Sequence, residues 1–107
     1  DWLAEVALRL GFRHECRCST NVRPRFLVDA GLMIMSRLPI VTSASLTYSV
    51  GVHIDRLCAK GALYARLQCG QDGPYLHVCT THLQSSYSEA SFEQSRLVRH
   101  KQLQQLV

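Results

Sequence analysis

The chain has 107 residues, 47% of them apolar and 19% charged, which suits one folded domain and excludes a disordered segment or a collagen-like repeat. Twelve Lys and Arg against eight Asp and Glu leave a net charge of +4. That balance fits an anionic partner (nucleic acid, a phospholipid surface or a phosphate ester) or simply a solvated positive face. No apolar run approaches the roughly 18 residues of a spanning helix, and residues 1–9 carry acids where a secretory leader carries bases, so no membrane span or targeting segment is expected. A chain of this size hides about 60–70% of its unfolded surface. The core is therefore modest, and a larger fold would be represented only in part.

The chain opens in a helical pattern, with Trp2, Leu3, Val6 and Leu10 on one stripe and Gly11 as a stop. Residues 12–18 alternate as a strand, and residues 19–25, where Asn21 and Pro24 stand beside Arg23 and Arg25, read as an exposed basic loop. The unbroken apolar run at 32–35 predicts a strand covered on both faces, ended by Pro39. Residues 40–48 predict another strand, and residues 49–59 have no clear period. Residues 61–69 place Leu63, Ala65, Leu67 and Cys69 on one face and Tyr64, Arg66 and Gln68 on the other. The turn Gly70-Gln71-Asp72-Gly73-Pro74 then returns the chain through residues 75–82 as a β-hairpin. A polar stretch at 85–91 leads into a helix over 92–107, with a capping box expected at Ser91 to Gln94. The order helix, strands, helix predicts an α/β or α+β sandwich with strands dominating the middle.

Five cysteines, at 16, 18, 58, 69 and 79, form no C-x-x-C pair and have no histidine at zinc-finger spacing. They are expected to be small buried hydrophobes in an intracellular, reducing compartment. The acids are scattered, with no pair at a metal-ligand spacing, and neither a P-loop nor a nucleophile elbow is present. His82, which closes a strand at the start of a polar loop, is the best single candidate for chemistry, either as an imidazole presented to a substrate or as a loop-capping hydrogen-bond partner. The remaining histidines read as structural or solvated. Lys60 stands before Gly61 at the mouth of the hairpin, where it is either a point charge for phosphate or, with Asp55, a surface salt bridge contributing about 0–1 kcal/mol.

Four segments, taken together, carry a resemblance. Gly31 to Ile40 with its Ser36-Arg37-Leu38-Pro39, Lys60-Gly61, Thr81-His82-Leu83-Gln84 and Arg99-x-x-Gln102 occur in the order and approximate spacing of the endonuclease/exonuclease/phosphatase superfamily. The Asp55-x-x-x-x-Lys60-Gly61 spacing looks most like the neutral sphingomyelinase branch. The resemblance implies a four-layer α/β/β/α, deoxyribonuclease I-like sandwich, of which residues 1–107 would be the central portion of one domain, truncated at both ends. It implies a Mg²⁺-dependent phosphodiesterase acting on a membrane sphingolipid or phospholipid headgroup. His82 would be the active-site histidine, Lys60 a phosphate or headgroup contact, and Asp55 its switching partner. Ser36, Arg37 and Pro39 would shape a strand end, and Arg99 and Gln102 would anchor the last helix.

The family's metal-binding Glu, its Asn, and its Asp-x-Asn and Asp-His elements have no counterpart in the sequence. No Mg²⁺ ligand is therefore assigned within this chain, which alone is expected to be inactive, to self-associate, and to reach a membrane only through the rest of the protein. A deoxyribonuclease or AP-endonuclease-type enzyme of the same fold, binding nucleic acid through the 19–25 arginines, and a non-catalytic binding module are the alternatives.

Overall fold

The computed structural model describes residues 1–18, 28–29 and 31–107. The basic loop expected at 19–25 lies outside the described residues. In chain order the elements are α1 (Trp2–Arg9), β1 (His14–Arg17), β2 (Val28–Asp29), β3 (Met33–Ser36), β4 (Ile40–Thr47), a 3₁₀ turn (His53–Leu57), β5 (Cys58–Ala59), β6 (Gly61–Gln68), β7 (Tyr75–Thr81), a second 3₁₀ turn (Glu89–Ser91) and α2 (Phe92–Gln104). No helix among the described residues is long and apolar enough to cross a membrane.

Asp1 caps α1 by accepting from the Leu3 N–H at 3.0 Å. The helix ends where Gly11 takes φ 90°. There the Gly11 N–H donates to Leu8 and the Phe12 N–H to Ala7, the paired bonds of a Schellman motif. The stop at Gly11 matches the expected one, but the expected inner stripe does not. Ala7 is the buried residue of α1, whereas Trp2, Leu3 and Leu10 are exposed. What fixes the helix end is polar: Arg37 donates to the Leu10 carbonyl at 3.1 Å and lies 4.8 Å over the Phe12 ring.

Strands β4, β6 and β7 form an antiparallel sheet in that order, β1 pairs antiparallel with β3, and β2 pairs parallel with β5. The hairpin of β6 and β7 stands as the alternation predicted, with Leu63, Ala65 and Leu67 buried and Tyr64, Arg66 and Gln68 half-buried on the opposite face. Those three apolar residues meet Ile34 of β3 in the core, flanked by Cys16, Cys18, Leu32, Leu38, Ile40 and Val78. Coverage of β3 by the described residues is full on one face and partial on the other: Ile34 and Ser36 are buried, while Met33 and Met35 are half-buried. Ser36 turns inward because its Oγ accepts from the Leu38 N–H at 2.9 Å, which sets the turn before Pro39. Gly61 is obligatory for a similar local reason, since a Cβ there would lie 1.9 Å from the Leu46 carbonyl oxygen on β4.

The final helix also differs from its expectation. Its capping box forms one turn earlier, between Ser88 and Ser91, so it opens the 3₁₀ turn that precedes α2. The inner face of α2 consists of Ser95, Val98 and Gln102, while Leu97 and Leu103 are exposed. Four of the five cysteines are half-buried and Cys79 is exposed, so they are less buried than expected.

Candidate functional site

The antiparallel register that sets Ala62 opposite Thr81 brings the residues just before β6 beside those just after β7. The His82 N–H continues the ladder by donating to the Gly61 carbonyl at 3.0 Å. The Thr81 hydroxyl donates to the same carbonyl at 2.9 Å, leaving its oxygen to accept from the buried Tyr48 hydroxyl at 2.6 Å. This corner is fixed by backbone pairing, so Lys60 and His82 meet without help from any flexible segment.

Asp55 arrives from the 3₁₀ turn. His53 enters that turn with φ 55°, a left-handed conformation uncommon for a residue with a Cβ. The Val52 N–H is held by the Gln84 side chain at 3.0 Å, and β5 then carries the chain into Lys60. Lys60 Nζ lies 2.8 Å from Asp55 Oδ2, 2.9 Å from the Leu83 carbonyl, and 3.3 Å from both Ser85 Oγ and His82 Nε2. An ammonium has three hydrogens and no acceptor, so these four partners engage all of them. Facing a donor, Nε2 of His82 acts as the acceptor, and a neutral ring then carries its proton on Nδ1.

Asp55 is as fully engaged. Its Oδ2 also accepts from the Ser85 N–H at 2.8 Å, and its Oδ1 accepts from the Tyr87 hydroxyl at 2.5 Å. Burial opposes ionisation of this carboxyl, but the hydrogen bonds from Lys60, Tyr87 and Ser85 outweigh it and hold its pKa below the ordinary range. The same bond raises the Tyr87 phenol above its ordinary value. The alternative of a surface salt bridge is overturned, because the side chains of Lys60 and Asp55 are 6% and 4% exposed. His82, in contrast, is exposed, so the cluster runs from a buried anion through a buried cation to an imidazole at the surface.

The segment 84–86 is tied to α2. Gln102 Oε1 accepts from the Gln84 N–H at 2.9 Å and its Nε2 donates to the Val50 carbonyl at 2.8 Å. Arg99 donates to the Gln84 carbonyl at 3.1 Å and to Ser86 Oγ at 3.0 Å. Arg99 and Gln102 thus brace the loop that supplies Ser85 and Tyr87. Reading the sequence missed those last two residues, and no local signal marks them: they lie in a plain polar stretch and reach Asp55 across 30 and 32 positions.

Among the described residues, no three of His, Cys, Asp and Glu gather into a group that could hold a metal ion. The one carboxylate of the cluster is occupied by Lys60, Ser85 and Tyr87, so the residues present do not fit a Mg²⁺ centre.

No family model matches the chain. It is 40% identical over 95 residues to a sphingomyelinase of Dictyostelium discoideum, covering 81% of this chain and 21% of that protein. It is 31% identical over 80 residues to sphingomyelinase C of Listeria ivanovii, covering 75% and 23% respectively. The crystal structure of SmcL superposes with a TM-score of 0.77 at 26% identity, over 95% of this chain and 37% of that one. A beta toxin of Staphylococcus aureus, crystallised with bound magnesium ions, gives a TM-score of 0.76 over 96% of this chain and 38% of its own; at 21% identity it speaks to the fold alone. The chain spans about a fifth of the length of the curated relatives it matches.

Shared over nearly the whole chain, that architecture is the deoxyribonuclease I-like sandwich of the endonuclease/exonuclease/phosphatase superfamily, present here in part. Within that superfamily the chain belongs to the neutral-sphingomyelinase-like branch.

Proposed function

We propose that the chain is the central portion of a phosphodiesterase of the phospholipase C type, which hydrolyses a sphingolipid or phospholipid headgroup with Mg²⁺ held by residues outside this segment. The observation that carries the reading is the cluster of Asp55, Lys60 and His82, whose spacing is that of the sphingomyelinase-like branch and whose side chains converge at one strand end. Water adds to phosphorus and loses a proton to solvent, the ester bond to the lipid oxygen breaks, and that oxygen leaves with a proton supplied by the His82 imidazolium, which solvent then restores. Lys60 exchanges Asp55 for a phosphate oxygen when substrate is bound, and Asp55 receives it back on product release, which makes the pair a switch. Mg²⁺ when bound offsets charge on the phosphoryl group. Free thiols at Cys16, Cys58, Cys69 and Cys79 support a reducing, intracellular setting.

The test uses the intact enzyme with sphingomyelin in mixed micelles and Mg²⁺, measuring phosphocholine release, with plasmid DNA as the competing substrate. His82→Ala is expected to lower turnover by roughly 10²-fold or more, with DNA left intact. The 107-residue chain alone is expected to turn over neither substrate. DNA nicking at a rate comparable to lipid cleavage would transfer the assignment to the nuclease branch.

A further inference from the structure

We infer that Tyr87 is a positioning residue for the Asp55 and Lys60 switch, its hydroxyl holding the buried carboxylate in place while the lysine is away. The inference rests on the switch reading above. Asp55 is 4% exposed, and a buried carboxylate stripped of its cation carries a large penalty unless other donors remain. Two do. Oδ1 keeps the Tyr87 hydroxyl at 2.5 Å, and Oδ2 keeps the Ser85 N–H at 2.8 Å. Neither bond is made by Lys60, and the one from Tyr87 is to the carboxylate oxygen that Lys60 does not touch, so the ammonium can leave without either being broken. Tyr87 therefore lowers the cost of the state in which Lys60 faces the substrate, and it fixes the point to which Lys60 returns.

Asp55 is faced by Lys60 at the start of β6, by Ser85 and Tyr87 from the segment after β7, and by His82 beyond the lysine; the Cys58 thiol of β5 lies near the phenol. The Tyr87 residue is 56% exposed although its hydroxyl is engaged. Its ring makes little of the core, and Tyr87→Phe removes the donor while leaving the packing almost untouched.

The test compares wild type, Tyr87→Phe, Lys60→Ala and Ser86→Ala in the intact enzyme, following sphingomyelin turnover against pH and the Asp55 carboxyl by carbon NMR titration. Ser86→Ala loosens the same loop at its bond to Arg99 without touching Asp55. Tyr87→Phe is expected to lower kcat roughly 10- to 100-fold with little change in KM. It should also raise the pKa of Asp55 and move the acid limb of the pH profile upward with it. Ser86→Ala should leave the Asp55 titration where it is. An Asp55 titration and a kcat unmoved by Tyr87→Phe, with turnover lost in Lys60→Ala, would overturn the role of Tyr87 alone. Turnover retained in Lys60→Ala would overturn the switch reading and this inference together.

Discussion

At the scale of single residues, the physics of the site is that of a buried ion pair satisfied on every side. Lys60→Ala would leave Asp55 at 4% exposure without its counter-ion, held only by Tyr87 and Ser85, and removing one partner of such a pair costs up to about 3–5 kcal/mol. The 0–1 kcal/mol of a surface bridge does not apply here. Replacing both partners by apolar residues of similar size, as in Asp55→Leu with Lys60→Met, should recover part of that loss, because no charge is then buried although the Ser85 N–H and the Leu83 carbonyl each lose a partner. Denaturant unfolding of the two variants measures the difference.

The depressed Asp55 pKa fixes the sign of the acid response. The unfolded carboxyl titrates near 3.9, so this contribution to stability is complete above about pH 5 and is lost as pH falls toward the lower folded value. Asp55→Asn should flatten stability against pH in that window. The spacing of Asp55 and Lys60 was legible in the sequence because it is local. Their burial was not, since residues 49–59 have no hydrophobic period and the covering groups, Ser85 and Tyr87, come from a segment some thirty residues away.

At the scale of elements, strands were easier to read than helices, and α2 explains why. The hairpin of β6 and β7 follows from simple alternation, because one face meets the core and the other does not. Helix α2 instead turns Ser95, Val98 and Gln102 inward, since what it packs against is the carbonyl- and N–H-rich segment 84–86 and the backbone at Val50. A hydrophobic pattern cannot announce a polar inner face. Gln102 is 1% exposed and satisfies two backbone groups at once, so Gln102→Leu, though similar in volume, leaves a buried N–H and a half-buried carbonyl without their partner. Each such group costs about 1–3 kcal/mol. Thermal unfolding should therefore place Gln102→Leu several degrees below wild type, while Leu103→Gln on the exposed side stays close to it.

At the scale of the whole chain, the dimensions are those of an open body. The radius of gyration is 16.0 Å, against about 13 Å expected of a compact domain of 107 residues. The accessible surface is 7407 Å², where a compact protein of this length shows about 6000 Å². Among the described residues the clustered core holds four buried ones, Ile34, Leu63, Ala65 and Leu67. Apolar side chains that a closed domain would hide stand outside: Trp2, Leu8 and Leu10 around α1, Tyr75 and Leu76 on β7, Leu97 and Leu103 on α2. Because they lie on several different elements, one pairing of copies cannot cover them all. The 107-residue chain is therefore expected to self-associate with rising concentration, and to unfold in urea with a shallower slope than its length predicts, because less surface is hidden in the folded form. Sedimentation velocity across a hundredfold range of concentration, alongside a urea titration, tests both. A monomer at every concentration, with a steep single transition, would mean that the exposed side chains are tolerated and that the small core is sufficient by itself.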